Sequence, residues 1–235
     1  MLVSLQGLSA QAFVDVEAGV AFTGYNDVQI PTDTGTRISL KDDTGSASAP
    51  AFRIRAGYTL FDRHTFMLLA APLTIRGSAV TDRDLTYRDT AFSAGSRVDS
   101  VYRFDSYRLT YRYTFLDSDP FVLAAGITGK VRSAGISLMG DEGYEIRSDL
   151  GVVPLINFMA NWRMTDRFSL LLDGDALVTP FGRAEDALLA VQYRYSDNAD
   201  IRLGYRILEG GSDGGGNVYT FALFNYVTAG VTVRF

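Results

Sequence analysis

Cysteine is absent from the 235 residues, and histidine, tryptophan and lysine are scarce: His64, Trp162, Lys41 and Lys130 are the only ones. Without cysteine there is no disulfide framework and no thiolate nucleophile or metal ligand. A single histidine excludes most zinc sites and nearly every histidine-based catalytic constellation. Arginine therefore carries almost all of the positive charge, and its planar guanidinium suits ion pairs held out of water.

Long apolar runs are missing as well. The longest, Phe66 to Ile75, has about ten residues, whereas a helix needs about twenty to cross a bilayer, so a helical membrane protein is excluded. Lys and Arg number 22 against 27 Asp and Glu, a net charge of −5, and 47% of the residues are hydrophobic. This balance excludes a disordered chain and a basic nucleic-acid-binding domain, so we expect no nucleic-acid partner.

Strict alternation of apolar and polar residues runs from Phe13 to the last residue, with no apolar stripe of helical period. In the first segment one face carries Val14, Val16, Ala18, Val20 and Phe22, and the other carries Asp15, Glu17, Gly19 and Thr23. The chain has 23 glycines, 13 tyrosines and 15 phenylalanines, a composition that is typical of strands and turns. The pattern predicts an all-β chain.

Ten alternating segments can be counted, at residues 13–23, 50–61, 64–77, 101–116, 120–138, 144–163, 167–179, 184–196, 200–208 and 218–235. Short polar turns alternate between them with a second set of connectors that includes long loops, at 24–49, 78–100, 139–143, 179–183 and 209–217. An even number of strands with this layout predicts a closed antiparallel transmembrane β-barrel, with short periplasmic turns, long extracellular loops and both termini in the periplasm. Eight strands remain possible if residues 200–208 do not form a strand, and twelve remain possible if residues 36–40 and 85–90 do form strands.

Residues Met1 to Ala12 form a short apolar run that ends in Ala10-x-Ala12, which is typical of the end of a secretory signal peptide. The usual basic region before the run is absent, and a flexible N-terminus is the alternative. The predicted organisation is a signal remnant or flexible segment at 1–12 and one barrel domain at 13–235.

Two sets of residues indicate which face of the sheet is outside. Aromatic side chains gather beside the tight turns in the apolar phase, as in a membrane-interface girdle: Tyr58, Tyr113, Phe115, Phe121, Trp162, Phe168, Tyr193 and Tyr195. The opposite phase carries charges: Asp15, Glu17, Arg53, Arg55, Arg108, Arg112, Arg147, Asp149, Asp173, Asp175, Arg194, Arg202 and Arg206. Since an arginine facing lipid at mid-depth costs about 2–4 kcal/mol, we expect these charges to face the lumen; a soluble barrel, the alternative, turns its apolar face inward.

The chain ends on an apolar alternating strand that includes Val231, Val233 and the terminal Phe235. This ending resembles the signal by which outer-membrane β-barrel proteins are recognised by their insertion machinery. The segments 27–37, 107–115 and 207–211 are also similar to those of small bacterial outer-membrane barrels. The resemblance implies the fold, an outer-membrane location in a Gram-negative cell, and outer-membrane lipid and the insertion machinery as partners; it implies no activity.

Catalysis finds little support in the residues. His64 lies in a tight turn, whereas barrel enzymes that this fold resembles, such as lipid A-modifying enzymes and omptin proteases, use a histidine near the opposite end or the lipid face. Asp173 and Asp175 share a face and could act as an acid–base pair or bind a cation, but an ion-pair network with the inward arginines is favoured. We expect no enzyme activity, no cofactor and no metal.

Three functions are therefore compared. The first is a structural or surface-exposed barrel whose long loops contact an external ligand or partner, or a cation at their acidic residues. The second is a narrow porin-like channel that passes small anions along the lumen arginines, although ten strands leave little space. The third, a lipid-modifying enzyme, lacks a recognisable catalytic set.

Overall fold

The computed structural model describes residues 10–180, 182–213 and 217–235. Within these ranges no helix is long and apolar enough to span a membrane. The chain forms strands β1 (Ala10–Gln29), β2 (Ile38–Ser39), β3 (Ser48–Leu60), β4 (His64–Ala71), β5 (Thr74–Val80), β6 (Leu85–Tyr87), β7 (Thr90–Phe92), β8 (Arg97–Ser118), β9 (Phe121–Gly140), β10 (Gly143–Arg163), β11 (Phe168–Thr179), β12 (Gly182–Ser196), β13 (Ala199–Asp213) and β14 (Tyr219–Arg234).

Ten antiparallel wall strands close into a barrel. The last strand, β14, pairs with β1 from Phe13↔Arg234 to Gln29↔Tyr219, which removes the sheet edges. Strands β4 and β5 both pair with β8 and act as one wall strand that is interrupted around Pro72. The short β2 and the β6–β7 hairpin lie in the long loops, so the predicted count of ten is confirmed and the alternatives of eight and twelve are wrong.

The side-chain alternation places apolar residues outside and charged residues inside. On the outer face, Leu109 is 60% exposed and Leu203 is 68% exposed, whereas the inward Glu17 and Arg206 are each 2% exposed. A soluble barrel would turn its apolar face inward, and that alternative is wrong. Closure pairs most backbone groups of the wall between neighbouring strands, as a strand-built membrane protein requires.

The two ends of the barrel differ. We call the end with the tight turns at 61–63, 119–120, 164–167 and 197–198 the turn end; the C-terminal Phe235 also lies there, where its amide donates to the Ala12 carbonyl at 2.9 Å. The opposite end, the loop end, carries the long connections at 30–47 and 81–96.

Several strand boundaries differ from those predicted. The connector expected at 139–143 is a two-residue turn, because β9 and β10 continue to Gly140 and Gly143, and β13 continues to Asp213 rather than ending near 208. Strand β1 begins at Ala10, three residues before the expected start of the barrel, and pairs Ala12 with Tyr58. The rest of the predicted signal segment, residues 1–9, lies outside the described residues.

The two long loops pack against each other over the loop end. The amide of Thr36 donates to the Thr86 carbonyl at 2.9 Å, and the amide of Arg88 donates to the Ile30 carbonyl at 2.8 Å. Their apolar side chains are fully buried: Ile38, Leu40, Leu85, Tyr87 and Phe92. These side chains share one apolar core with inward residues of the wall such as Tyr102 and Phe224, and burial raises the pKa of the Tyr87 phenol. The loops therefore form a packed lid.

Candidate functional site: an ion-pair layer between two cavities

A buried carboxylate, Asp186 on β12, lies at the centre of the barrel interior. It accepts hydrogen bonds from three guanidinium groups: Arg53 Nη2 at 2.9 Å, Arg108 Nη2 at 2.5 Å and Arg206 Nη1 at 2.5 Å. The three arginines come from β3, β8 and β13, and all four side chains are buried. Alternation turns these side chains inward and closure of the barrel brings them together.

Two further acids complete the middle of the barrel. Glu17 accepts from Arg206 Nε at 2.8 Å and from Arg202 Nη2 at 3.0 Å. Asp175 accepts from Arg108 Nη1 at 2.6 Å, from the Thr128 hydroxyl at 2.6 Å and from Asn157 Nδ2 at 2.8 Å. Each carboxylate thus has several donors, as burial of a charge requires.

The network continues toward the turn end. Asp173 accepts from Arg55 Nη1 at 2.7 Å and from Arg112, and Asp15 accepts from Arg202 and from the Thr232 hydroxyl at 2.6 Å. We call the whole set the ion-pair layer: Asp15, Glu17, Arg53, Arg55, Arg108, Arg112, Asp173, Asp175, Asp186, Arg202 and Arg206. Six arginines against five carboxylates leave it one positive charge in excess, 6 − 5 = +1.

The layer contains ten of the thirteen charged residues that alternation placed in the lumen. Arg147 and Asp149 lie apart from it at the loop end, where Asp149 accepts from Arg132, and Arg194 lies exposed at the turn end. All three share the inward phase but stand near an end of the barrel, where the interior meets water. The sequence reading missed Asp186, although Asp186 has the same phase as the buried Leu188 in β12.

The layer separates two cavities. The turn-end cavity has a volume of about 340 Å³ and includes Asp15, Arg55 and Asp173 in its wall. The loop-end cavity has a volume of about 540 Å³. Five residues of the layer line neither space: Glu17, Arg53, Arg108, Asp175 and Asp186.

The loop-end cavity combines apolar walls with charged groups. Its apolar lining includes Tyr102, Phe104, Ile136, Leu177, Leu208 and Phe224. Its charged lining consists of Lys130, Arg132, Arg147, Arg183, Asp149 and Glu209. Lys130 is 3% exposed, and its Nζ lies 4.7 Å from the centre of the Phe104 ring. This lysine was not among the predicted site residues, although it has the same phase as the buried Thr128.

The remaining predicted residues lie at the turn end. All eight aromatic residues of the predicted girdle are near the tight turns in the outward phase, and the Phe121 and Trp162 rings lie 6.4 Å apart. His64 is there too, with its Nδ1 2.9 Å from the Tyr111 hydroxyl. Val231 and Val233 on β14 pair with Val16 and Val14.

The acidic loop residues bond within the protein. Asp43 pairs with Arg83 at 2.6 Å, Asp84 accepts from the Ala94 amide, and Glu142 accepts from the Ser93 amide at 3.0 Å, which lowers the pKa of Glu142. In the described parts of the chain, no group of three or more His, Cys, Asp or Glu residues is arranged to hold a metal ion.

No protein-family profile matches the chain, and no curated protein sequence matches it significantly. Solved structures do match. The outer-membrane protease OmpT from Escherichia coli is 13% identical over 98% of this chain and 99% of that one, with a TM-score of 0.52. The transport unit of the autotransporter AIDA-I from Escherichia coli is 7% identical over 100% and 93%, with a TM-score of 0.50. The chain therefore has the fold of bacterial outer-membrane β-barrels, as the resemblance implied.

Proposed function

We propose that this chain is an integral outer-membrane protein of a Gram-negative bacterium, that it forms no continuous pore, and that its loop end receives a ligand. The ion-pair layer is the observation that carries the proposal. The aromatic residues beside the tight turns support a periplasmic turn end with both termini there, and the lid at the other end then faces outward.

The layer supports a closed lumen because its charges are already paired. An ion that crossed it would have to separate contacts of 2.5–3.0 Å around Asp186, Glu17 and Asp175 in a water-poor interior. Breaking a buried pair is costly, since each charge left behind is no longer compensated.

We further propose that the protein is not an enzyme. His64 lies at the turn end against Tyr111, away from the loop-end cavity, and both Asp173 and Asp175 are occupied by donors. OmpT is a protease, but a shared barrel fold does not imply a shared activity.

The alternative is a narrow anion channel, which the excess positive charge of the layer would favour. Single-channel recording of the refolded protein in a planar bilayer tests the choice, with folding checked by a heat-modifiable gel shift. We expect wild type to be silent, and Arg108→Ala/Arg112→Ala to conduct because two side chains that fill the lumen are gone. The exposed turn-end pair Arg63→Ala/Arg167→Ala is the matched control and stays silent. Steady anion-selective openings of wild type would overturn the proposal.

A further inference from the structure

The seam of the barrel wall between β10 and β11 is incomplete. Strand β10 pairs with β9 over twenty residue pairs, from Gly143↔Gly140 to Trp162↔Phe121, but with β11 over only eight, from Ile156↔Ala176 to Arg163↔Ser169. Beyond Ile156, β10 continues toward the loop end, while β11 stops at Thr179. We call this opening, between β10 residues 152–155 and β11 residues 177–179, the notch.

A proline marks the same place. Pro154 lies within β10, and proline is confined in sheets to edges, bulges and strand starts because it has no N–H to donate. Here β10 has lost its β11 partner and is locally an edge strand. The residue therefore fits an open seam rather than a closed one.

The notch lies at the depth of the outer leaflet. Trp162 belongs to the aromatic girdle, and Val152 is ten residues further along β10. At about 3.3 Å per residue and a tilt of about 40°, ten residues climb about 25 Å, the height of the apolar band of such barrels. Ile156, at the lower edge of the notch, is about 15 Å above Trp162 by the same arithmetic.

The loop-end cavity reaches the outside through the notch. Val153 has the inward phase, and Val152 and Pro154 have the outward phase, yet all three line the cavity together with Leu177 of β11. Val152 is 76% exposed. A cavity that is bounded by outer-face residues opens sideways, so a molecule dissolved in the bilayer can enter it without displacing the lid.

Lys130 faces the interior at the level of the notch, because it pairs with Val153. Among the described side chains of residues 10–180, 182–212 and 217–235, no carboxylate oxygen lies within 4.0 Å of its Nζ, whereas every arginine of the ion-pair layer has such a partner. Arg132, which lines the same cavity, has a buried Nε without a hydrogen-bond partner, as Arg202 of the layer does. Since a buried cation without a paired carboxylate is costly, an anion bound in the cavity would offset that cost for Lys130.

We propose that the loop-end cavity binds a single-chain amphipathic carboxylate, of the fatty-acid class, that enters from the outer leaflet through the notch. Its carboxylate pairs with Lys130, and its chain lies against Tyr102, Phe104 and Phe224. A volume of about 540 Å³ is within the range of small-molecule sites, about 300–1,000 Å³. The inference rests on the proposed function, in which the loop end is the part that binds.

Equilibrium binding tests the ligand. The refolded full chain is titrated in micelles with a conjugated-tetraene C18 fatty acid, whose fluorescence reports binding, and with the corresponding alcohol. We expect the acid to bind wild type at least tenfold more tightly than the alcohol, because only the acid has a charge for Lys130. Equal binding of the two, which requires no variant to measure, would overturn the proposal.

The two lysines provide a matched pair of variants. Lys130→Met keeps the length of the side chain and removes its charge, and we expect it to weaken binding of the acid at least tenfold while leaving the alcohol unchanged. Lys41→Met, in the loop, where Lys41 Nζ donates to the Gly24 carbonyl, changes neither. An unchanged affinity of Lys130→Met for the acid would assign the charge recognition elsewhere and refute the site.

A bridge across the notch tests the route. Because the chain has no cysteine, Pro154→Cys/Val178→Cys can be joined by a short bismaleimide on the outer face, and Leu189→Cys/Tyr205→Cys, a directly paired couple on the β12–β13 seam, is the control. We expect the first bridge alone to slow uptake of the acid from vesicles at least tenfold. Uptake at the wild-type rate would refute lateral entry.

The outcomes also separate this inference from the proposed function. Ion conductance by the wild-type protein would refute the proposed function, whether or not the fatty acid binds. If the wild-type protein does not conduct and binds neither the acid nor the alcohol, the proposal of a closed lumen stands and the proposed fatty-acid site is refuted.

Discussion

In both the ion-pair layer and the loop-end cavity, alternation along the strands turns charged side chains inward, but the partners of those charges differ. In the layer, inward arginines meet inward carboxylates across the lumen, and each arginine has a carboxylate within 4.0 Å. In the cavity, the inward Lys130 meets the ring of Phe104. The difference teaches that the interior of a narrow barrel is filled where its charges are paired and contains a cavity where a cation faces apolar walls.

Strand length contributes to the difference. Strands β8, β9 and β10 have 22, 20 and 21 residues, whereas β11 has 12. The layer lies where β10 and β11 are paired, since Asp175 pairs with Asn157. The cavity lies where β10 rises beyond β11, so that its wall is interrupted by the notch.

The largest expected effect comes from the centre of the layer. Asp186→Asn leaves three buried guanidinium groups without their shared carboxylate and should lower the free energy of unfolding by about 3–5 kcal/mol. Urea unfolding in lipid vesicles, followed by the fluorescence of Trp162, measures it. Asp149→Asn, at the half-exposed pair with Arg132, is the control and should cost less than about 1 kcal/mol. Equal losses of unfolding free energy in the two variants would mean that the ion-pair layer contributes no more to stability than the half-exposed pair of Asp149 and Arg132.

The next largest effect is expected on the lipid-facing surface of the barrel beside the ion-pair layer. Leu109→Arg places a charge on the outer face at mid-depth and should cost about 2–4 kcal/mol, whereas Leu150→Arg, beyond the apolar band, should cost about 0–1 kcal/mol. The same unfolding assay compares them. A similar cost at both sites would contradict the depth assigned to the notch.

A smaller change tests whether the lid is packed. Ile38→Val removes one buried methylene from the loop at 30–47 and should destabilise the lid by about 1 kcal/mol. Hydrogen exchange of the Thr36 and Leu40 amides should accelerate, while amides of the ion-pair layer strands keep their protection. Unchanged exchange at both loop amides would show that the lid does not depend on this core.

The smallest effect concerns pH at the lid. The pKa of Glu142 is lowered by the Ser93 amide, so its contribution to stability is present above the ordinary glutamate value of about 4.3 and is lost as the pH falls through the folded pKa. Exchange of the Ser93 amide, corrected for its intrinsic rate, should therefore rise on acidification below that value. Glu142→Gln should remove this dependence and Asp141→Asn should keep it. A dependence that survives Glu142→Gln would assign it to another group.

Much of the site followed from sequence, and its gaps have identifiable reasons. Alternation placed Arg53, Arg108 and Arg206 inside, because successive side chains of a strand face opposite sides. It did not show that they meet at Asp186, which is 133 residues from Arg53 in sequence. Pro154 is unsuited to a central strand, but the sequence does not show that the neighbouring β11 is too short to pair with it.

The sequence by itself determined the all-β class, the ten wall strands and the face that each of them turns outward, since these depend on local periodicity and on the cost of a charge in lipid. Only the tertiary structure decided that the long loops fold into a lid, that the lumen charges pair into a layer between two cavities, and that the β10–β11 seam is incomplete. Those features depend on register and strand length around the closed barrel, which bring together residues far apart in the chain.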